Sequence, residues 1–288
     1  MAGGHDGNEH MDETGTDDAT RSRQGSRYSS LVTLVLIPLV IVLIWLLENY
    51  LLAGNTHLFR QASIPGLVLY TVLAGIFVGI IVPIVRIRAA FLSGAVNMFQ
   101  IGFRSARRTV AAVSLTALAG YAFFIITGTP GIEGLNRVEC ATLFMLLLPI
   151  AIATVMICWV LVGTHVQAYF RSEGVIVSVI TGVVITALIF ALSLSILFAG
   201  PDFRELFTGF FVAGCIAAFF FFAVRDVYAT IIVVTSGLVV FLNARIDPAY
   251  LGPISPVVIL CGIVVTVVLI IVHWHFSRHY TTIVLPEK

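Results

Sequence analysis

Polar side chains that could carry acid–base chemistry are concentrated in one short stretch of the sequence. The stretch CWVLVGTHVQAYFRSEG, residues 158–174, leaves a long apolar run and then collects His165, Gln167, Tyr169, Arg171 and Glu173. An imidazole near a carboxyl group and a guanidinium could form the rim of an active site. The same composition also fits a polar turn between two membrane-spanning helices, and we favour the turn.

Candidate metal ligands occur only near the C-terminal end of the last apolar run, in VHWHFSRHY. His275 and His279 are four residues apart and share a helical face, while His273 is offset from them. Two imidazoles at this spacing can bind zinc, but a zinc site needs three or four ligands, and no carboxylate or cysteine lies nearby in the sequence. We therefore predict no metal and no cofactor, with His275 and His279 as the sole candidates. GxSxG, HExxH and GxxxxGK[ST] motifs are absent, so no catalytic residue is predicted.

One resemblance accompanies the polar stretch. The polar segment HVQAYFRSEG is followed by a span that contains FALSL and then by a hairpin. In this order of segments, residues 158–242 resemble the core of the CAAX-protease and bacteriocin-processing membrane proteins. That family uses a Glu-Glu pair followed by Arg, then FxxxH, then HxxxN or HxxxD, to hold a metal and activate water. Here the corresponding positions carry Cys158, Trp159, Gly163, Leu194 and Val234. The resemblance implies a catalytically degenerate relative, and chance likeness among apolar helices is the alternative.

The composition identifies the class of protein that positions these residues. Of the 288 residues, 59% are hydrophobic and only 11% are charged, and the mean hydropathy is +1.05. A soluble domain of this size cannot cover its surface with so few charges, so the apolar surface must face lipid. The net charge of +1 offers no field that would recruit nucleic acid. The fold class predicted is all-α, a polytopic integral membrane helix bundle.

Apolar runs of about 20 residues, long enough to cross a bilayer, predict about eight transmembrane helices. They follow an acidic N-terminal tail, residues 1–30, which we expect to be disordered. The bundle covers residues 31–275, and residues 276–288 form a short C-terminal tail. The predicted spans are Leu31–Leu52, Pro65–Val85, Thr109–Thr127, Cys140–Val162, Val175–Phe198, Leu206–Val224, Val227–Leu242 and Ile254–Trp274.

Basic residues set the predicted orientation in the cell membrane. With both termini in the cytoplasm, the inward segments carry twelve Lys or Arg and the outward loops carry four. This asymmetry agrees with the positive-inside rule. The hairpin that separates the sixth and seventh spans must turn at Arg225 and Asp226, since a single helix over residues 206–242 would be about 55 Å long.

The stretch FLSGAVNMFQIGFRSARR predicts an amphipathic helix at about residues 91–108 in the inner interface. Apolar residues recur on one face, and Arg104, Arg107 and Arg108 would meet lipid phosphates or a cytoplasmic partner. A plain orientation anchor, or an extension of the third span, is the alternative. Small residues at four-residue spacing, such as Gly75 and Gly79, predict close helix packing in a compact bundle.

Acidic groups at bilayer depth are scarce, which disfavours a coupled pump or transporter. Glu48 is the nearest candidate, and it lies about 25 Å along the first span at the outer rim. We therefore predict a non-enzymatic membrane protein, a scaffold or permease-like subunit that acts through its cytoplasmic face. Its expected partners are membrane lipids and a membrane or cytoplasmic protein. A passive small-solute transporter is a further alternative.

Overall fold

A computed structural model describes most of the chain outside the N-terminal tail. The residues described are 32–55, 64–92, 96, 98–127, 137–198, 203–243 and 256–280. Every regular element among them is helical, which confirms the predicted all-α membrane bundle. The tail at 1–30 and residues 281–288 lie outside the described residues.

Nine helical runs make up the described chain. Three of them contain wider π-helical turns: α1 begins with Val32–Leu36, α2 contains Thr71–Ile81 and α5 contains Val155–Gly163. Each π segment continues directly into α-helix, so we treat each run as one helix. The runs are α1 (Ile37–Asn55 after its π turn), α2 (Ile64–Tyr70 through Val82–Leu92), α3 (Met98–Ile101), α4 (Ala106–Thr127), α5 (Arg137–Thr154 through Thr164–Tyr169), α6 (Val175–Leu197), α7 (Phe203–Val224), α8 (Val227–Asn243) and α9 (Pro256–Tyr280).

Six of these helices are long and apolar enough to cross a membrane, so the chain is a multi-span helical membrane protein. The spans are Leu34–Leu51, Pro65–Leu92, Val138–Glu173, Val175–Leu197, Phe203–Val224 and Pro256–Arg278. Residues of the two other predicted spans are also helical, in α4 and in the shorter apolar helix Val227–Leu242. The structure thus supports at least six of the predicted spans and leaves the count of eight as a prediction.

Helix α5 forms the centre of the bundle. Its span is 83% buried, compared with 28–44% for the other five. It contacts α2, α6, α8 and α9, and nearly every side chain from Ile150 to His165 is inaccessible. The polar end of the stretch 158–174 is α-helical as far as Tyr169. Phe170–Glu173 then form a short 3₁₀ helix, and Gly174, with φ 104°, leads into α6.

Close approaches at small residues join neighbouring helices, as the four-residue spacing predicts. A Cβ atom built on Gly79 would lie 2.6 Å from the Cβ of Ala153, so α2 and α5 pack nearly backbone to backbone. Gly182 of α6 similarly accepts the ring of Phe222 from α7. At Gly120 of α4 no atom of the described residues lies within 4 Å of such a Cβ, so this part of α4 is not tightly packed against them.

The predicted amphipathic helix at 91–108 is not one helix. Helix α2 ends at Leu92, α3 covers only Met98–Ile101, and α4 begins at Ala106. Gly102 has φ +84°, a left-handed conformation that an uninterrupted right-handed helix excludes, and residues 103–105 are irregular. The single-helix prediction is therefore wrong, because residues 98–108 already form two helices with a break at Gly102.

Candidate functional site

The most elaborate polar arrangement in the described chain surrounds the two-residue turn between α7 and α8. Arg225 and Asp226 are the only residues that separate these helices, as the sequence predicts. Arg225 has φ 54°, a left-handed conformation that costs a non-glycine residue about 1–2 kcal/mol. Its N–H donates to the carbonyl of Phe221 at 2.7 Å, which caps the end of α7.

Asp226 caps the start of α8. Its Oδ1 accepts a hydrogen bond from the N–H of Ala229 at 2.9 Å, and its Oδ2 accepts one from Oγ1 of Thr109 at 3.0 Å. The side chain is completely inaccessible. A buried carboxylate needs such donors, and the partial positive charge at the helix N-terminus stabilises it further. Asp226 thereby joins α8 to the first turn of α4.

The guanidinium of Arg225 holds three parts of the chain together. Nη2 donates to Oε1 of Gln167 at 2.8 Å, Nη1 donates to the carbonyl of Gln100 at 3.3 Å, and Nε donates to the carbonyl of Phe222 at 3.1 Å. The planar fork can reach several acceptors at once, which a lysine ammonium could not do with the same geometry. These bonds connect α5, α3 and α7 and offset the backbone cost at Arg225.

The irregular segment at 102–105 runs across the turn and is held there by two hydrogen bonds. The carbonyl of Gly102 accepts from the N–H of Val227 at 3.2 Å, and Nε of Arg104 donates to the carbonyl of Arg225 at 2.8 Å. A Cβ on Gly102 would lie 3.0 Å from the Phe221 ring, so glycine is required by both space and φ. The backbone reversal at Gly102 is what brings Arg104 to the turn.

Helix α9 joins the same cluster through His273. The imidazole stacks on Phe103 with 4.6 Å between ring centroids, and its Nδ1 lies 2.9 Å from the hydroxyl of Tyr228. The imidazole of His273 also lies within hydrogen-bonding reach of the backbone of Arg104. Six helices (α3, α4, α5, α7, α8 and α9) and one irregular segment therefore converge on a single polar cluster.

The electrostatic character of this end of the bundle is cationic. In the described chain it carries two acidic residues, Glu173 and Asp226, against eight arginines: Arg86, Arg88, Arg104, Arg107, Arg108, Arg171, Arg225 and Arg278. We call this region the arginine-rich end. Burial, with repulsion from Arg104 as the second cause, lowers the pKa of Arg225 to about 10. Its guanidinium therefore stays charged at neutral pH.

The three arginines that the sequence singled out occupy different environments. Arg104 is half-buried and bonded to the turn, so it has a structural partner. Arg107 and Arg108 are exposed on the first turn of α4. Of the candidate zinc ligands, His275 is exposed, and the side chain of His279 lies outside the described residues. Among the described residues no three His, Cys, Asp or Glu side chains are grouped as metal ligands would be.

Two residues of the opening stretch lie inside the bundle and not in a solvated turn. His165 is fully inaccessible, and its Nδ1 lies 2.7 Å from the carbonyl of Leu161. Because that carbonyl can only accept, Nδ1 carries the proton and Nε2 has no partner. Gln167 is 3% exposed and binds Arg225, while Tyr169, Arg171 and Glu173 are exposed.

Sequence reasoning missed Gln100, Thr109, Gln167, Tyr228 and His273 as members of the cluster. Amides and hydroxyls at helix ends are common, and nothing local distinguishes these. One local signal was available: Asp226 immediately precedes an apolar helical run, which is a typical N-cap pattern.

The positions that correspond to the protease motif are packed in the apolar core. Cys158, Trp159 and Leu194 are inaccessible, Val234 is 4% exposed, and all four belong to one hydrophobic cluster. The Trp159 ring lies 5.3 Å from that of Phe190. This region contributes packing among α5, α6 and α8.

Comparisons with protein families, with curated proteins and with solved structures found no match to this chain.

Proposed function

We propose that this multi-span helical membrane protein is a non-enzymatic scaffold whose arginine-rich end binds the phosphate groups of anionic phospholipids. The observation that carries the proposal is the charge at that end, where eight arginines accompany two acidic residues in the described chain. Arginine forks match phosphate oxygens in pairs, and a juxtamembrane arginine contributes about 1 kcal/mol to binding at an anionic surface.

The arginines divide into two roles in this proposal. Arg104 and Arg225 fix the turn, because each donates to backbone or amide oxygens of neighbouring segments. Arg107 and Arg108 are exposed on the first turn of α4, where the helix N-terminus adds a partial positive charge. In this proposal Arg104 and Arg225 fix the conformation of residues 102–105, and Arg107 and Arg108 contact the lipid phosphates.

The proposed orientation places the arginine-rich end and both termini in the cytoplasm. The distribution of Lys and Arg supports it, with twelve on one side and four on the other. The cytoplasmic leaflet is also the one with the negative surface potential, so the basic end and the anionic lipids would meet there. An epitope after Lys288 should be accessible only in permeabilised cells, and labelling of intact cells would overturn the orientation.

A non-enzymatic role is supported by the packing at the positions of the protease motif. Metal-assisted hydrolysis needs carboxylates or imidazoles around an open coordination site. Cys158, Trp159, Leu194 and Val234 are instead part of the apolar core. A catalytically degenerate relative of that family would have this pattern and could still serve as a scaffold.

The test is a lipid titration of the purified, delipidated protein in uncharged detergent. Arg107→Ala combined with Arg108→Ala should weaken the binding of a fluorescent anionic phospholipid by about 2 kcal/mol, roughly 30-fold, with loss of most of its salt dependence. A zwitterionic phospholipid should bind equally to both proteins. Because these two side chains are exposed, the double variant should keep the Tm of the wild type.

Arg204→Ala is the matched control, since Arg204 is exposed at the opposite end of the bundle. It should leave lipid affinity unchanged. If the double variant binds the anionic lipid as tightly as Arg204→Ala does, the proposed function is wrong.

A further inference from the structure

A second polar cluster lies in the half of the bundle away from the arginine-rich end, and the scaffold proposal does not involve it. Trp45, Glu48 and Asn49 share one side of α1, because residues three and four apart are neighbours on a helix. Tyr70 of α2 and Ser193 of α6 face them. The cluster therefore lies where α1, α2 and α6 meet.

One hydrogen bond and one electrostatic interaction link side chains of this group across the helices. Nδ2 of Asn49 donates to Oγ of Ser193 at 3.0 Å, and Asn49 is fully inaccessible. Trp45 is 1% exposed and Tyr70 is 2% exposed. The carboxyl group of Glu48 is close enough to act electrostatically on the hydroxyl of Tyr70.

Three buried polar atoms in this cluster have no hydrogen-bond partner. They are Oε2 of Glu48, Oδ1 of Asn49 and Nε1 of Trp45. A buried polar atom without a partner costs about 1–3 kcal/mol, so a bound group that pairs with these atoms would stabilise the bundle. Two of the three atoms are acceptor oxygens, and one of these belongs to a carboxyl group. A positively charged occupant would satisfy both of these oxygens.

The cluster lies near one end of the bundle. Asn49 lies about 22 Å along α1 from Leu34, and Ser193 lies about 27 Å along α6 from Val175. Both distances fall short of the roughly 30 Å of bilayer hydrocarbon, so the cluster lies within several Å of the far surface. Glu48 is partly exposed, unlike its buried neighbours Trp45 and Asn49, and so lies at the edge of the cluster.

We propose that this cluster binds a small monovalent alkali cation, with Oε2 of Glu48 and Oδ1 of Asn49 as protein ligands. Hard carboxylate and amide oxygens suit such ions. A water molecule of the ion's hydration shell accepts a hydrogen bond from the indole N–H of Trp45. A divalent ion is disfavoured because one carboxylate cannot balance its charge, and Ca²⁺ and Mg²⁺ sites usually use several. By bridging α1 to its neighbours, the ion stabilises the bundle.

The test compares the Tm of the full-length wild-type protein in detergent with NaCl, KCl or choline chloride at equal ionic strength and neutral pH. An alkali ion well above its Kd should raise the Tm by about 3 °C over choline, because it binds only the folded state. The same titration should change the fluorescence of Trp45, which Trp45→Phe identifies among the three tryptophans.

Glu48→Gln should abolish the rise in Tm, and Glu205→Gln, which changes an exposed acid at the same end, should keep it. Equal Tm values of the wild type in all three salts would overturn the proposal. The proposal would also be overturned if Na⁺ or K⁺ raised the Tm of Glu48→Gln as much as that of the wild type. A rise in the wild-type Tm on acidification in choline chloride that equalled the rise with the alkali ion would overturn it too. Because the wild-type titration stands by itself, the result does not depend on whether Glu48→Gln folds. Lipid binding at the arginine-rich end is a separate measurement, so either proposal can fail without the other.

Discussion

Removing one hydroxyl group tests whether the cluster at the Arg225–Asp226 turn stabilises the bundle. Thr109→Val keeps the shape of the side chain but deletes the donor to Oδ2 of Asp226, which lies 3.0 Å away. Asp226 is inaccessible, so its oxygen cannot recruit bulk water in exchange. Leaving a buried acceptor unpaired costs about 1–3 kcal/mol. We expect the free energy of unfolding to fall by about 2 kcal/mol.

A double-mutant cycle separates this bond from other effects of the substitution. Asp226→Ala removes the cap of α8 and should cost about 0.5–2 kcal/mol by itself. In the Asp226→Ala background there is no carboxylate for Thr109→Val to leave unpaired, so the further loss of unfolding free energy should be close to zero. The coupling energy between the two positions should therefore be about 2 kcal/mol.

The assay is reversible unfolding in mixed micelles of mild and denaturing detergent, followed by circular dichroism. Thr208→Val is the control, since the hydroxyl of Thr208 is exposed and donates to the carbonyl of Arg204 in its own helix. Its effect should stay within about 0.5 kcal/mol. Equal costs for the two Thr→Val variants, or the full cost of Thr109→Val in the Asp226→Ala background, would refute the assignment of the Thr109–Asp226 bond.

Two further predictions concern glycines and use the same unfolding assay. Gly102→Ala should destabilise the protein by about 1–2 kcal/mol or more, since φ is +84° and the new methyl group would meet the Phe221 ring. Its control is Gly120→Ala, which lies on an open helix face and should be neutral or slightly stabilising. Gly79→Ala should separate α2 from α5, since its methyl group would lie 2.6 Å from the Cβ of Ala153, and a cost of about 1–3 kcal/mol is expected. Wild-type stability of Gly79→Ala would show that the two helices are not held that close.

Much of the fold could be predicted because hydropathy and span length are properties of short segments. An apolar run of about 20 residues can satisfy its backbone hydrogen bonds in lipid only as a helix, whatever its neighbours are. The turn at Arg225 and Asp226 was also predictable, since one helix across residues 206–242 would be too long to cross once. The prediction at 91–108 failed because helical periodicity does not report the pairing of Gly102 with Val227, which lies 125 residues further along the chain.

The polar clusters at the Arg225–Asp226 turn and around Glu48 likewise depend on contacts between segments that are distant in the sequence. From the sequence, Glu48 is placed at the outer rim without any polar neighbour from another helix, and Gln167 is assigned to a polar turn. Packing of α1 against α6 places Asn49, next to Glu48, on Ser193, and packing of α5 against α7 places Gln167 on Arg225.

The sequence by itself determined that this chain is a helical membrane protein, where most of its helices lie and where its positive charge is concentrated. Only the tertiary structure decided which polar groups are buried and which of them meet. Hydropathy acts residue by residue, whereas a hydrogen bond between distant segments exists only after the helices have packed.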